Sequence, residues 1–283
     1  MIFYFSGTGN SAWVARQLAL QLNDHLCFIP DEMGGEASYK LRTNEKLGFV
    51  FPVYAWRVPK FILSFIKRMK VENVSYIYFV ATCGDDSGHM DCYFKHAAKR
   101  KGWKVACGFS VIMPEAYVSL PGFDVDDKIK ENTKLREAQT RIDDIATFIA
   151  DSRQGRFQTI PGRFPWTKSL LLGWFFNAFL MSHKPFHTNT NCIGCGKCEQ
   201  VCPLHNIAMK ASQIDSTSPE KSVSQGSTQE SHDSLSRPLW HDKCVGCLRC
   251  YHACPQRAIE YGRFTRGKGQ YLHPQKLFGK NNP

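Results

Sequence analysis

Eight of the twelve cysteines in this 283-residue chain fall in two runs of identical spacing. Each reads C-x2-C-x2-C-x3-C-P: Cys192, Cys195, Cys198 and Cys202–Pro203, then Cys244, Cys247, Cys250 and Cys254–Pro255. The offset is 52 residues at every cysteine. Both runs carry an aliphatic residue after the first cysteine (Ile193, Val245) and an isoleucine beyond the proline (Ile207, Ile259), so the segment is an internal duplication. Three such thiols wrap one face of a cubane as the chain coils around it. The fourth, carried onto a short helix that points away, reaches the other cluster. The spacing therefore predicts two [4Fe–4S] centres that complete each other. Cys192, Cys195, Cys198 and Cys254 form one; Cys244, Cys247, Cys250 and Cys202 form the second. The aliphatic neighbours are expected to keep water off the sulfurs. Structural zinc, the competing chemistry, uses four ligands, usually as two distant C-x2-C pairs, and two complete runs ending in Cys-Pro fit that poorly.

The clusters change the meaning of the charge. The chain has 36 Lys and Arg against 25 Asp and Glu, a formal +11, which alone suggests nucleic acid or an anionic membrane. Two thiolate-ligated clusters lower this to roughly +7. No basic run interleaved with aromatics resembles a nucleic-acid module, so no nucleic-acid partner is expected. The excess lies in residues 161–283, with 15 basic and 7 acidic residues, whereas residues 1–160 carry 21 and 18. From Gly262 onward Arg263, Arg266, Lys268, Lys276 and Lys280 meet no acid. This basic tail, 263–283, is expected to cover the clusters or dock an acidic redox partner. At 43% apolar and 22% charged residues, wholly disordered and collagen-like chains are excluded. Met1 leads straight into a strand-like run with no basic leader, and clustered cysteines suit a reducing compartment, so the expected location is cytoplasmic.

Residues 1–155 alternate short apolar runs with helical patterns. Strand-like runs are Ile2–Phe5, Leu26–Ile29, Leu47–Phe51, Ser75–Ala81 and Val105–Met113; helical stretches lie around 11–22, 58–69, 89–101 and 127–150. Such alternation predicts βαβ units and a doubly wound α/β domain with a five-stranded parallel sheet. Residues 156–189 form a connector whose centre, Leu170–Met181, is too short to cross a bilayer, for which roughly 20 apolar residues are needed. It reads as a helix packed between two domains, with an interfacial membrane helix as the alternative. A small α+β cluster domain spans 190–262. Within it, residues 211–237 contain nine serines and no aromatic, which predicts a disordered insertion.

Directly after the first strand comes Ser6-Gly7-Thr8-Gly9-Asn10-Ser11, followed by a helical pattern. Glycines let the backbone N–H groups curl inward, hydroxyls add donors, and the helix N-terminus adds partial positive charge: an anion cradle. It has no Lys, so it is not a P-loop, and it lacks G-x-G-x-x-G. In sheets of this kind the ligand sits at the topological switch point. There the loop after the third strand offers Pro52, Val53, Tyr54, Ala55 and Trp56, with two aromatics where a flat ring would lie. The loop after the fourth offers Thr82, Cys83, Gly84 and Asp85.

Residues 1–155, with SGTGN, resemble flavodoxin; residues 190–262 resemble a bacterial two-cluster ferredoxin. The chain as a whole resembles the flavodoxin–ferredoxin fusion proteins of anaerobic bacteria and archaea. The resemblance implies FMN at Ser6–Ser11, with ring contacts from the Tyr54–Trp56 and Thr82–Asp85 loops. It implies a carrier of low-potential electrons between two [4Fe–4S] clusters and FMN, with redox proteins as donor and acceptor. The alternative is a flavin-dependent reductase of a quinone or small molecule fed by the clusters. Cys27, Cys83, Cys92 and Cys107 read as small apolar residues, with Cys83 alone falling in a ring-contact loop.

Overall fold

Four buried apolar runs build the centre of the main sheet. The computed structural model describes residues 1–176, 181–211 and 236–275. In chain order its first part comprises β1 (Ile2–Tyr4), α1 (Asn10–Leu22), β2 (Leu26–Phe28), β3 (Ser38–Lys40), β4 (Leu47–Pro52), α2 (Lys60–Arg68), β5 (Lys70–Glu72) and β6 (Ile77–Cys83). It continues with α3 (Met90–Arg100), β7 (Val105–Ile112), α4 (Lys128–Ala150) and β8 (Phe157–Gln158). β1, β4, β6 and β7 are almost wholly buried, as expected of parallel strands covered on both faces. Phe3, Phe49, Phe79 and Phe109 are fully buried among them. The helices begin and end within two residues of the sequence expectation. α4 starts where the Asp127 side chain accepts a hydrogen bond from the Lys130 N–H at 2.8 Å, capping one of the open N–H groups of its first turn.

The sheet has six parallel strands in the order β2-β1-β4-β6-β7-β8, not the five expected. The sixth, β8, is a two-residue edge whose side chains are both exposed, so it leaves no apolar pattern. β3 and β5 form a separate two-stranded parallel pair. The strand order reverses between β1 and β4, which opens a crevice at the carboxyl ends of β1, β4 and β6.

A π-helical turn (Thr167–Leu172) and α5 (Gly173–Phe175) follow, then β9 (Phe186–Thr188), α6 (Lys197–Val201), β10 (Ile207–Ala211), β11 (Ser236–Trp240), α7 (Arg249–Ala253) and β12 (Ile259–Tyr261). β9 pairs with β12 and β10 with β11, both antiparallel. Ala211, Ser236 and Arg237, expected in the insertion, belong to the β10–β11 ladder; residues 212–235 lie outside the described residues. Phe186, Ile207, Trp240, Tyr251, Ile259 and Tyr261 form a small second core, which Val118 from the loop after β7 also enters. The two halves thus share buried contacts.

One sequence expectation needs correction here. The connector touches the first half through Ser169 and Gly173 and the second through Met181, whose Cε lies 3.0 Å from where a Gly246 Cβ would sit. Its leucines and aromatics, expected to make those contacts, are mostly exposed. The described part of the basic tail, Arg263 to Gln275, is bonded to both halves of the chain. Lys268 Nζ donates to Val118 O and Leu120 O, Gln270 Nε2 donates to Tyr251 O and Cys254 O, and the Tyr271 hydroxyl donates to Asn10 Oδ1. The segment laces the second half to the first.

Candidate metal centres and the adjoining anion loop

The duplicated runs fold alike. Gly196 (φ +69°) and Leu248 (φ +58°) adopt left-handed backbone immediately before α6 and α7. Each short helix carries the third cysteine of its run and ends at the fourth. The fourth sulfur accepts a backbone hydrogen bond from four residues on in both cases: Asn206 N to Cys202 Sγ at 3.2 Å, and Ala258 N to Cys254 Sγ at 3.3 Å.

Two cavities result. One, with about 340 Å3 of unfilled space including its mouth, is lined by Cys192, Cys195, Cys198 and Cys254. The other, about 350 Å3, is lined by Cys202, Cys244, Cys247 and Cys250. The fourth cysteine of each run therefore lies with the first three of the other. Burial pushes the Cys198 thiol up to about 11 and Cys247 up to about 12, and it raises Cys244 and Cys250 as well. Buried thiols with such values become thiolates only when a cation compensates them. Four soft sulfur donors, with no histidine or carboxylate lining either cavity, suit iron–sulfur chemistry or zinc. Val245 lines the 350 Å3 cavity, and Ile207 and Ile259 are buried, but Ile193 is 55% exposed, so the first cavity is open on that side. Cys195 is exposed as well.

The second cavity lies deep. Cys247 packs directly on the Ser6–Ser11 loop: a Cβ on Gly7 would lie 2.8 Å from the Cys247 carbonyl oxygen and 3.0 Å from its Cβ, with the Tyr54 hydroxyl 3.1 Å away. Only a glycine permits that approach. Arg249, on α7, is buried beside Cys247, Cys202, Tyr4 and Tyr54, and burial lowers its pKa. A fixed positive charge there offsets the negative charge of thiolates.

The loop itself is buried throughout. Ser6 Oγ accepts the Gly9 N–H at 3.0 Å, and the Ser11 and Thr82 hydroxyls pair at 2.7 Å. Asn10 Nδ2 donates to Pro114 O at 2.9 Å. The Ser6 and Ser11 oxygens therefore help to shape the loop, and the Ser6 hydroxyl keeps its own proton to donate. The backbone N–H groups of Gly7, Thr8, Asn10 and Ser11 have no protein acceptor among the described residues. Four buried, unpartnered N–H groups beside a left-handed Gly9 (φ +103°), at the start of α1, form a nest that calls for an anion. The phosphate of a nucleotide fits that chemistry. His273 covers the loop. Its N–H donates to Thr8 O at 2.8 Å, its ring stacks on Trp13 at 5.2 Å, and its Nε2 is buried without a partner. Burial lowers its pKa to about 4.

The other crevice loops divide. Tyr54 N–H and Arg57 O, and Arg57 N–H and Tyr54 O, pair at 3.1 Å around a tight turn whose central residues, Ala55 and Trp56, both have positive φ. Tyr54 lies at Gly7, and burial raises its hydroxyl pKa. Trp56 turns away, onto Gly88 and the Phe176 ring at 5.8 Å, so the structure brings one of the two aromatics to the loop. Val53 N–H continues the sheet by donating to Thr82 O, beside Pro52. Cys83 is buried and its thiol is pushed up to about 12, which makes it a neutral thiol and not an activated nucleophile. Gly84 lies against the half-buried Glu115 carboxyl, whose pKa is raised by the loss of water around it, and Asp85 is exposed. Sequence reasoning missed Arg249, Tyr271, His273 and Glu115. Tyr271 and His273 act on residues far away in the sequence, and Arg249, although inside the second cysteine run, occupies a position that the ligand spacing leaves unspecified.

Residues 191–259 match the family model of the 4Fe–4S dicluster domain. No curated protein and no solved structure matches the chain. The match decides between the two metals that the sulfur donors admit: the C-terminal part of this chain is a ferredoxin-like 4Fe–4S domain, built for iron–sulfur electron transfer.

Proposed function

We propose that the chain is an iron–sulfur flavoprotein whose redox centres stand in line. Cys192, Cys195, Cys198 and Cys254 hold a [4Fe–4S] centre at the surface, where a partner protein reaches it. Cys202, Cys244, Cys247 and Cys250 hold a second, inner centre. FMN binds at the crevice, with its phosphate on the Ser6–Ser11 nest and its ring near Tyr54 and the Thr82–Asp85 loop. Supporting this reading is the strand order β2-β1-β4-β6-β7, which is that of flavodoxin-like sheets with FMN at the β1 switch point. When bound, FMN would supply exchange between one-electron and two-electron chemistry. The protein's part is to fix distance and orientation and to exclude water.

The observation that carries the proposal is the contact of Cys247 with Gly7 and Tyr54. It sets a ligand of the inner centre directly against the anion nest, with no other segment between. Anaerobically purified protein should contain about eight iron and eight sulfide per chain and should release FMN on denaturation. Cys202→Ser should alter the centre held by Cys244, Cys247 and Cys250 and spare the other, and Cys198→Ser should do the reverse. Zinc without sulfide would overturn the metal assignment. Absence of flavin would overturn the crevice assignment alone.

A further inference from the structure

Between Phe164 and Phe175 the connector turns its large apolar side chains outward. Phe164, Trp166, Leu170, Leu171, Trp174 and Phe175 are between 47% and 72% exposed, while Ser169 is buried. Residues 170, 171, 174 and 175 stand one turn apart and so share a face. Polar contacts hold the segment this way round. The Ser169 carbonyl accepts from Arg57 Nε at 2.6 Å and from the Tyr93 hydroxyl at 3.1 Å; Ser169 Oγ accepts the His89 N–H at 2.8 Å; Leu170 O accepts from Arg57 Nη2 at 3.0 Å. A Cβ on Gly173 would lie 2.7 Å from Ala55 O, so the helix sits as close as a backbone can. Rolling the leucines inward would break all four hydrogen bonds. A contiguous apolar face of this kind marks an interaction surface.

Its charge identifies the partner. From Ser152 to Cys198 the chain has six Lys or Arg and no Asp or Glu. Arg153, Arg156 and Lys168 pair with Asp151, Asp144 and Asp86. Arg163 and Lys184 make no ion pair among the described residues. No described helix is long and apolar enough to cross a membrane. Leucine and phenylalanine with tryptophan at two points, flanked in the sequence by cations that make no ion pair among the described residues, is the composition of a segment lying in the plane of a headgroup layer. A second copy of the same face would bring like charges together. We propose that this face seats the protein on an anionic lipid bilayer, with Leu170, Leu171, Trp174 and Phe175 at the acyl boundary and Arg163 and Lys184 among the headgroups. The proposal does not depend on the cofactor assignment.

Anaerobic holoprotein should co-sediment with vesicles of phosphatidylcholine and phosphatidylglycerol, and roughly tenfold less with phosphatidylcholine alone. The Leu170→Gln/Leu171→Gln double variant removes two exposed side chains and should keep the iron–sulfur absorbance. It should partition roughly tenfold or more weakly onto the anionic vesicles. Failure of the wild type to bind anionic vesicles overturns the proposal. So does equal binding by the double variant, which would assign the contact to another basic segment. Concentration-dependent self-association without lipid, abolished in the variant, would make the face a protein interface and overturn it too.

Discussion

His273 is neutral because burial removes its water and no carboxylate among the described residues replaces it. Its pKa is about 4 in the folded chain against the ordinary 6.5. Between these values the unfolded chain takes up a proton that the folded chain does not. Its stabilising effect is therefore complete above pH 6.5 and is lost as the pH falls toward 4, up to about 3 kcal/mol by linkage. His273→Phe keeps an aromatic ring on Trp13 and removes the titration. The denaturation midpoint of that variant should vary less between pH 6.5 and 4; an unchanged profile would assign the acid sensitivity elsewhere. Nothing in the sequence around His273 announces this role. The cysteines were legible because their spacing is itself the geometry of a cubane. His273 and Tyr271 act on residues about 260 positions away, Tyr271 bonding Asn10 across 261, and local pattern carries no trace of such a partner.

At the scale of elements, the turn at Ala55–Trp56 departs from the usual chemistry. Both residues have positive φ, +48° and +58°, in a two-residue turn that ordinarily selects Asn-Gly. Left-handed backbone costs an alanine roughly 1 kcal/mol. Ala55→Asn should thus raise stability by up to about 1 kcal/mol in chemical denaturation, whereas a loss would mean the position is held by packing. Trp56 has a compensating gain in its contacts with Gly88 and Phe176. The long strands and helices were readable because their apolar residues repeat at one period. β3, β5 and β8 are as short as β1 and β2 or shorter, but their side chains are mostly exposed, so they leave no apolar run to read. The connector was misread for a different reason: its apolar run suggested burial, but hydrogen bonds to Ser169 and the closeness at Gly173 settle which face docks.

For the whole molecule, the junction of the halves lies at Gly7, Tyr54 and Cys247, and the segment after β12 ties it shut. Rapid mixing with a low-potential reductant should couple cluster bleaching to flavin reduction by a first-order step independent of protein concentration. Gly7→Ala places a methyl group against the Cys247 backbone and should slow that step with the cluster content intact. Substitutions at the exposed Trp174 and Phe175 should leave it unchanged. A step that scales with protein concentration would mean that electrons cross between molecules.

The closure of the anion nest by residues 271–273 also imposes an order on biosynthesis. At about 5–20 residues per second, the nest leaves the ribosome roughly 15–50 s before its cover exists. A small anion bound by the nest would meet no cover from that segment during the interval. After release, exchange must wait for Tyr271 and His273 to let go of Asn10 and Thr8.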